Sequence, residues 1–124
     1  MKKIITSDKA PGAIGPYSQA VEVNGVIYTS GQLGMNWVDG ELTEGIEAQT
    51  RTALRNVEAI LLSAGSSLEK VFKTLVFISD MNNFSQMNEV YKEFFKENFP
   101  ARSCVEVSRL PKDAMVEIEV IALR

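Results

Sequence analysis

Two hydrophobic periods alternate along this chain of 124 residues. From Ile46 onward, Thr50, Ala53, Leu54, Val57, Ile60 and Leu61 recur every three or four positions, while Glu47, Arg51, Arg55 and Glu58 fall on the far side. That is the stripe of an amphipathic helix, and Gly65 after Ala64 supplies its left-handed stop. Phe84, Met87, Tyr91, Phe94 and Phe95 make a second stripe, with Asp80 or Asn82 as the expected N-cap. A Met and aromatic stripe of this kind reads as core. Elsewhere the period is two. Residues 21–23 and 26–28 flank Asn24-Gly25, the dipeptide that most readily takes the positive φ angles of a type I′ turn. Val23 should then face Val26, and Val21 should face Tyr28. Residues 71–78 are apolar on both faces apart from Lys73 and Thr74, as expected for a strand covered on both sides. The final quarter predicts two more strands, joined as a hairpin by the Pro111-Lys112-Asp113 turn.

The order hairpin, helix, strand, helix, strand, strand predicts a single α+β domain over residues 1–124, a mixed sheet with two helices packed on one face. Two helices leave the other sheet face to meet something else, and the two-sided strand 71–78 points to a partner subunit. The loop 31–42 holds three glycines and an Asp39-Gly40 turn signal. Trp37 lies within it and is expected to pack as a lid on the domain's own surface.

Composition narrows the chemistry. Apolar residues make up 45% and charged residues 23%, an ordinary globular balance. Thirteen basic against sixteen acidic residues give a net charge of -3, so no general field gathers nucleic acid or acidic lipid. The first residues are too polar for a signal-peptide core and no apolar run approaches membrane length, so the chain reads as cytoplasmic. The lone Cys104 agrees with a reducing compartment. Histidine is absent, which removes Ser-His-Asp and Cys-His arrangements, His-ligated zinc and the usual neutral-pH proton shuttle. With one cysteine, a thiolate zinc cluster within one chain is excluded as well. Any chemistry must run on carboxylates, arginine, hydroxyls, main-chain groups and water.

Residues 100–120 hold the residues best suited to it. In the last strand Val116, Ile118, Val120 and Ala122 form one apolar face, and Met115, Glu117, Glu119, Ile121 and Leu123 form the other. Carboxylates among apolar neighbours need water or a partner. One reading is a solvated outer face, and the other is a pocket where Arg102 and one of these acids meet over a small acid. Arg102 shares a face with Cys104 and Glu106 by strand parity, and its planar fork suits a carboxylate in a way lysine cannot copy. A salt bridge to Glu117 or Glu119 would explain it equally. Cys104 reads as a small apolar residue, with no histidine to make it a thiolate. Towards the other end, Gly-Ala-Ile-Gly-Pro-Tyr presents Tyr17 from a stiff turn. Ser30-Gly31 closes a strand where a missing Cβ would let a ligand near the backbone, though turn geometry alone accounts for that glycine.

These residues carry a resemblance. Ala13-Ile14-Gly15-Pro16-Tyr17-Ser18-Gln19-Ala20, Tyr28-Thr29-Ser30-Gly31-Gln32, the Asn56-Val57 helix, Pro100-Ala101-Arg102-Ser103-Cys104-Val105-Glu106-Val107, Leu110-Pro111-Lys112 and Val116-Glu117-Ile118-Glu119 are similar to the RidA family. It is also called YjgF/YER057c/UK114, the reactive-intermediate deaminases. The resemblance implies a chorismate-mutase-like subunit, a homotrimer with three inter-subunit clefts, and hydrolysis of 2-imino acids (2-iminobutanoate, 2-iminopropanoate) to 2-oxo acids and ammonia. It implies that Arg102 binds the substrate carboxylate and Glu117 positions water. Tyr17, Ser30, Gly31, Asn88 and Cys104 would line the cleft, the last through its main-chain carbonyl. Gly34 and Trp37 stand where many members carry prolines, so the rim that sets substrate breadth departs from the pattern. An imine supplies its own basic nitrogen and electrophilic carbon, so neither metal nor organic cofactor is expected. A different class of function, small-acid sensing or a chaperone-like role without turnover, would use the same cleft. RNA cleavage, attached to some relatives, is disfavoured by the charge and the missing histidine.

Overall fold

The computed structural model covers residues 1–124 and places them in one mixed sheet with two helices on one side. Its strands are β1 (Lys3–Ile5), β2 (Ala20–Val23), β3 (Val26–Thr29), β4 (Gln32–Leu33), β5 (Val71–Ile78), β6 (Ala101–Glu106) and β7 (Val116–Leu123). The order across the sheet is β1-β2-β3-β7-β5-β6, with β4 extending the sheet beside β7.

Local sequence accounts for most of the elements. Asn24 and Gly25 take φ of 51° and 79°, and Val23 pairs with Val26 and Val21 with Tyr28, the expected two-residue hairpin. The first helix, α1 (Ile46–Ser63), buries the whole predicted stripe. Ala53, Leu54, Val57, Ile60 and Leu61 are fully enclosed against Ile27, Val76, Ile118 and Val120. Each large side chain buried this way contributes about 1.5–3 kcal/mol. Gly65 ends the segment at φ 77°. Asp80 is the cap expected ahead of the second helix, but it caps a short 3-10 turn, Met81–Asn83, by accepting from the Asn82 amide at 2.9 Å. The helix proper, α2 (Phe84–Phe94), follows, and Phe95 lies just beyond it. A two-pronged ion pair from Arg51 to Glu93, at 3.0 and 2.7 Å, ties α1 to α2.

Four features differ from the sequence reading. The short strands β1 and β4 are additional, too brief to show a period. Trp37 is half exposed at the tip of its loop instead of packing as a lid. The largest difference is that β6 and β7 do not form a hairpin. Between them lies β5, parallel to β6 and antiparallel to β7. The chain runs β5-α2-β6, the crossover that parallel neighbours need, and residues 107–115 then span the two inter-strand spacings to β7, roughly 10 Å.

The pairing register assigns faces. Thr74, Val76 and Ile78 of β5 are buried beneath the helices, so their partners Arg102, Cys104 and Glu106 stand on that same side. Leu75 and Phe77 point the other way, beside Glu119 and Glu117. This helix-free face also carries Tyr28 and Ile121, paired across β3 and β7, and Val105. It is a largely apolar surface with two carboxylates set into it and Lys73, which reaches Ser103, on the same side.

Candidate active site

Arg102 and Glu117, the two groups best suited to chemistry, lie in one protomer on opposite faces of the sheet with β5 between them. The expected site residues fall accordingly into two half-sites.

The cationic half stands on the helix side. The Arg102 guanidinium lies 4.7 Å from the centre of the Tyr91 ring and 5.6 Å from that of Phe84, and its Nη1 donates to Asn88 Oδ1 at 2.8 Å. Phe84, Asn88 and Tyr91 share one stripe of α2, spaced four and three residues apart. Four ion pairs occur in the chain and Arg102 is in none of them. The alternative of an internal salt bridge to Glu117 or Glu119 is thereby set aside by geometry. Its remaining donors face an open groove of about 560 Å³ lined by Asn88, Tyr91, Lys92, Phe99 and Pro100. Cys104 is two residues along the same face, partly buried. Burial pushes its thiol above the ordinary cysteine value, and the Arg102 charge offsets this only in part. That is the opposite of an activated nucleophile. Its main chain is better placed. The Val107 amide donates to the Ile78 carbonyl at 2.9 Å, so strand parity turns the amide and carbonyl groups of Arg102 and Cys104 towards the unpaired outer edge of β6.

The acidic half stands on the helix-free side. Glu117 pairs with Leu33 of β4, which brings Gly31 against its carboxylate. A Cβ on Gly31 would lie 2.6 Å from Glu117 Cδ and 2.9 Å from Cγ. Here the glycine is required by a close approach, not by its backbone angles. Partial burial raises the Glu117 carboxyl above its ordinary value, and the neighbouring Glu119 charge raises it further. Tyr17, half exposed, shares a small recess of about 40 Å³ with Pro11, Ile14, Gly31, Leu33 and Met35. Ser30 is committed internally, its hydroxyl donating to the Ser18 carbonyl at 2.6 Å.

Three buried amides hold this half in place. Gln19 accepts from the Ser7 amide at 2.6 Å and donates to the Pro11 carbonyl at 2.8 Å, stapling residues 7–11 beneath the Tyr17 turn. Asn56 of α1 donates to the carbonyls of Leu33 and Met35 at 3.2 and 2.8 Å, and Gln49 accepts from the Met115 amide at 2.8 Å. The available signal for them was polarity on the buried stripe of α1 and at the end of β2. Tyr91 was legible only as core, because nothing in a stripe shows that one ring edge continues into a binding groove. No group of three or more acidic or cysteine side chains capable of holding a metal is present.

A mixed sheet with both helices on one face, a stacked arginine without an acidic partner and a carboxylate with raised proton affinity define a small α+β protein of the YjgF-like fold. The chain belongs to the RidA/YjgF family, whose model, described as Endoribonuclease L-PSP, matches residues 7–124. It is 46% identical over 125 residues to the human 2-iminobutanoate/2-iminopropanoate deaminase, covering 100% of this chain and 91% of that protein. Among solved structures, Escherichia coli TdcF with bound serine superposes with a TM-score of 0.95 at 48% identity, covering 98% of both chains. YyfA of Yersinia pestis, a Rid-family protein, superposes at 0.97 with 53% identity over 100% of both chains.

Proposed function

We propose that this protein hydrolyses 2-imino acids to 2-oxo acids and ammonia, in clefts that take Arg102 from one subunit and Glu117 from the next. The observation that carries the composite cleft is the placement of the two half-sites on opposite faces of one sheet, where no single protomer can close both on one small molecule. A second copy that lays its helix-free face beside the first protomer's β6 edge would bring them together, and a ring of three such heterologous contacts closes on itself. It would also cover Tyr28, Leu75, Phe77, Val105 and Ile121, an apolar surface that a lone protomer leaves to water. The kinship with a 2-iminobutanoate/2-iminopropanoate deaminase, and with a protein that binds serine, supports a small amino- or imino-acid ligand.

The chemistry asks little more than positioning. Arg102 holds the substrate carboxylate with donors left free by Asn88. The Cys104 carbonyl accepts a hydrogen bond from the iminium nitrogen, which orients the imine and favours its protonated form, the form whose carbon water attacks. Glu117 takes a proton from water as its oxygen bonds to that carbon, then delivers it to the nitrogen of the carbinolamine. The C–N bond breaks with its electron pair leaving on ammonia, and loss of the hydroxyl proton gives the oxo acid. Tyr17, Ser30 and Gly31 shape the acidic wall. The raised proton affinity of Glu117 suits a group that must accept and return a proton. No step needs a metal, a cofactor or a histidine. The endoribonuclease in the family's description would need a polyanion surface, and a net charge of -3 does not favour one.

Subunit mixing tests both parts of the proposal. Arg102→Ala and Glu117→Gln homo-oligomers should each be nearly inactive on imino acids generated in situ by an amino-acid oxidase. After unfolding together and refolding as an equal mixture, about one quarter of clefts should pair an intact Arg102 with an intact Glu117. Ammonia release should recover to about that fraction of wild type. No recovery would place both residues in one protomer's cleft and refute the composite site, and a wild-type protein that leaves imine decay unaccelerated would refute the deaminase.

A further inference from the structure

We propose that Tyr91 is a positioning residue for Arg102, itself anchored by Thr74, so that the guanidinium is fixed in its carboxylate-binding pose before any ligand arrives. The inference deepens the reading of Arg102 as the carboxylate anchor and rests on it.

An arginine that waits in an open groove has many rotamers, and ordering them on binding weakens affinity. Here the ordering is built in. Pairing of β5 with β6 sets Thr74 directly beside Arg102 on the same face. The Thr74 hydroxyl, fully buried, meets the Tyr91 hydroxyl at 2.9 Å. That contact fixes the tip of the ring, and Phe95, 4.7 Å away centre to centre, packs against it. The ring face so held lies 4.7 Å from the guanidinium carbon, within cation–π range, while Asn88 takes one of its five N–H groups. One rung of the sheet thus holds both the arginine and the anchor of the ring on which it rests. A phenylalanine at position 91 would fill the core equally but leave the Thr74 hydroxyl without its partner, which a purely hydrophobic role would not require.

The test is a double-mutant cycle read by NMR titration of the intact protein with 2-oxobutanoate, which reaches millimolar constants. Tyr91→Leu should weaken binding about 5- to 30-fold, the upper part of the span of a cation–π contact, and Tyr91→Phe and Thr74→Val by about two- to fivefold. In an Arg102→Ala background each change should weaken binding by less than about twofold, because Tyr91 acts only through that side chain. The Arg102 Nε–H resonance should lose its ring-current shift in Tyr91→Leu and keep it in Tyr91→Phe. Val90→Ala, which loosens the same helix away from the guanidinium, should lower Tm and leave affinity unchanged. Equal losses with and without Arg102 would overturn the proposal. If Tyr91→Leu does not fold, Tyr91→Phe and Thr74→Val carry the same cycle. Binding without imine hydrolysis by the wild type would sink the deaminase reading alone, and a wild type that binds no carboxylate would sink both.

Discussion

Replacing Gly31 with alanine should strike the chemistry and spare the fold. The new Cβ would lie 2.6 Å from Glu117 Cδ and 2.9 Å from Cγ, whereas carbon atoms rest about 3.5–4.0 Å apart. The carboxylate must therefore retreat by about 1 Å. A displacement of that size in a reacting group costs about 10²-fold in rate, or about 2.7 kcal/mol of barrier. Gly31 lies outside the left-handed region, so alanine adds no backbone strain, and the atoms it would meet belong to the end of the flexible, partly buried Glu117 side chain. Tm should fall by less than about 4 °C, the shift that 1 kcal/mol produces in a domain of this size. Gly34→Ala provides the contrast. Its Cβ would meet the main-chain oxygen of Gln49 at 2.6 Å and the Gln49 Cβ at 2.7 Å, atoms fixed on α1. Overpacking of this kind costs about 1–3 kcal/mol, so Tm should drop by roughly 4–12 °C. Ammonia and oxo-acid release from oxidase-generated imines, with thermal melts on the same samples, separates the two. A Gly31→Ala protein that turns over within twofold of wild type would refute the placement of Glu117 in the reaction.

Arg102→Ala should lower kcat/KM by about two to three orders of magnitude through loss of charge-assisted hydrogen bonds, with Arg102→Lys restoring only part, and steady-state kinetics on both variants checks this. Glu117→Gln should abolish turnover yet stabilise the fold near neutral pH. Because the folded-state value of Glu117 is raised, its ionised form weakens the fold above that value and the penalty vanishes below the unfolded value of about 4.3; melts in which the glutamine advantage grows as pH falls would contradict it. Cys104→Ser should keep turnover within about threefold and the wild-type thiol should react slowly with iodoacetamide, since the proposed contribution is a main-chain carbonyl; rapid inactivation by the reagent together with a dead serine variant would restore a nucleophilic role. Light scattering at micromolar protein should give three times the protomer mass, and Leu75→Asp should lower it where Glu58→Lys does not; a monomeric wild type would remove the basis for a shared cleft.

Legibility in the sequence followed the range of the interactions involved. The Asn24-Gly25 turn and the buried stripe of α1 rest on contacts within a few residues or on burial of one face and show in local residue types and spacing, and the bounds of β5 show as a nearly unbroken apolar run. The pairing of β6 with β5 depends on residues about thirty positions apart and leaves no such trace, so a turn-like Pro111-Lys112-Asp113 invited a hairpin, whereas β7 pairs with β5 and β3 and leaves the outer edge of β6 free. The parity argument that put Arg102, Cys104 and Glu106 on one face and Glu117 and Glu119 on one face of their own strand needed no register and held. Whether those faces were the same needed it, and they are opposite. The buried amides of Gln19, Asn56 and Gln49 showed only as polar residues beside apolar ones; their partners stayed hidden because these are backbone carbonyls and amides, which every residue carries.

The insertion of β7 between β3 and β5 has a consequence for the order in which the protein can form. Residues 116–123 supply the rung that joins the N-terminal hairpin to the β5-β6 pair and the floor against which α1 packs. Until they emerge from the ribosome the two halves of the sheet have no shared edge, and the apolar stripe of α1 has only part of its floor. The β5-α2-β6 unit can assemble early from its nearer contacts, whereas closure waits for pairings such as Val26 with Leu123, far apart in the chain. Such long-range closure slows folding. During synthesis the strands made earlier therefore stay in two separate fragments, and residues 116–123 act as the wedge that turns them into one cooperative structure.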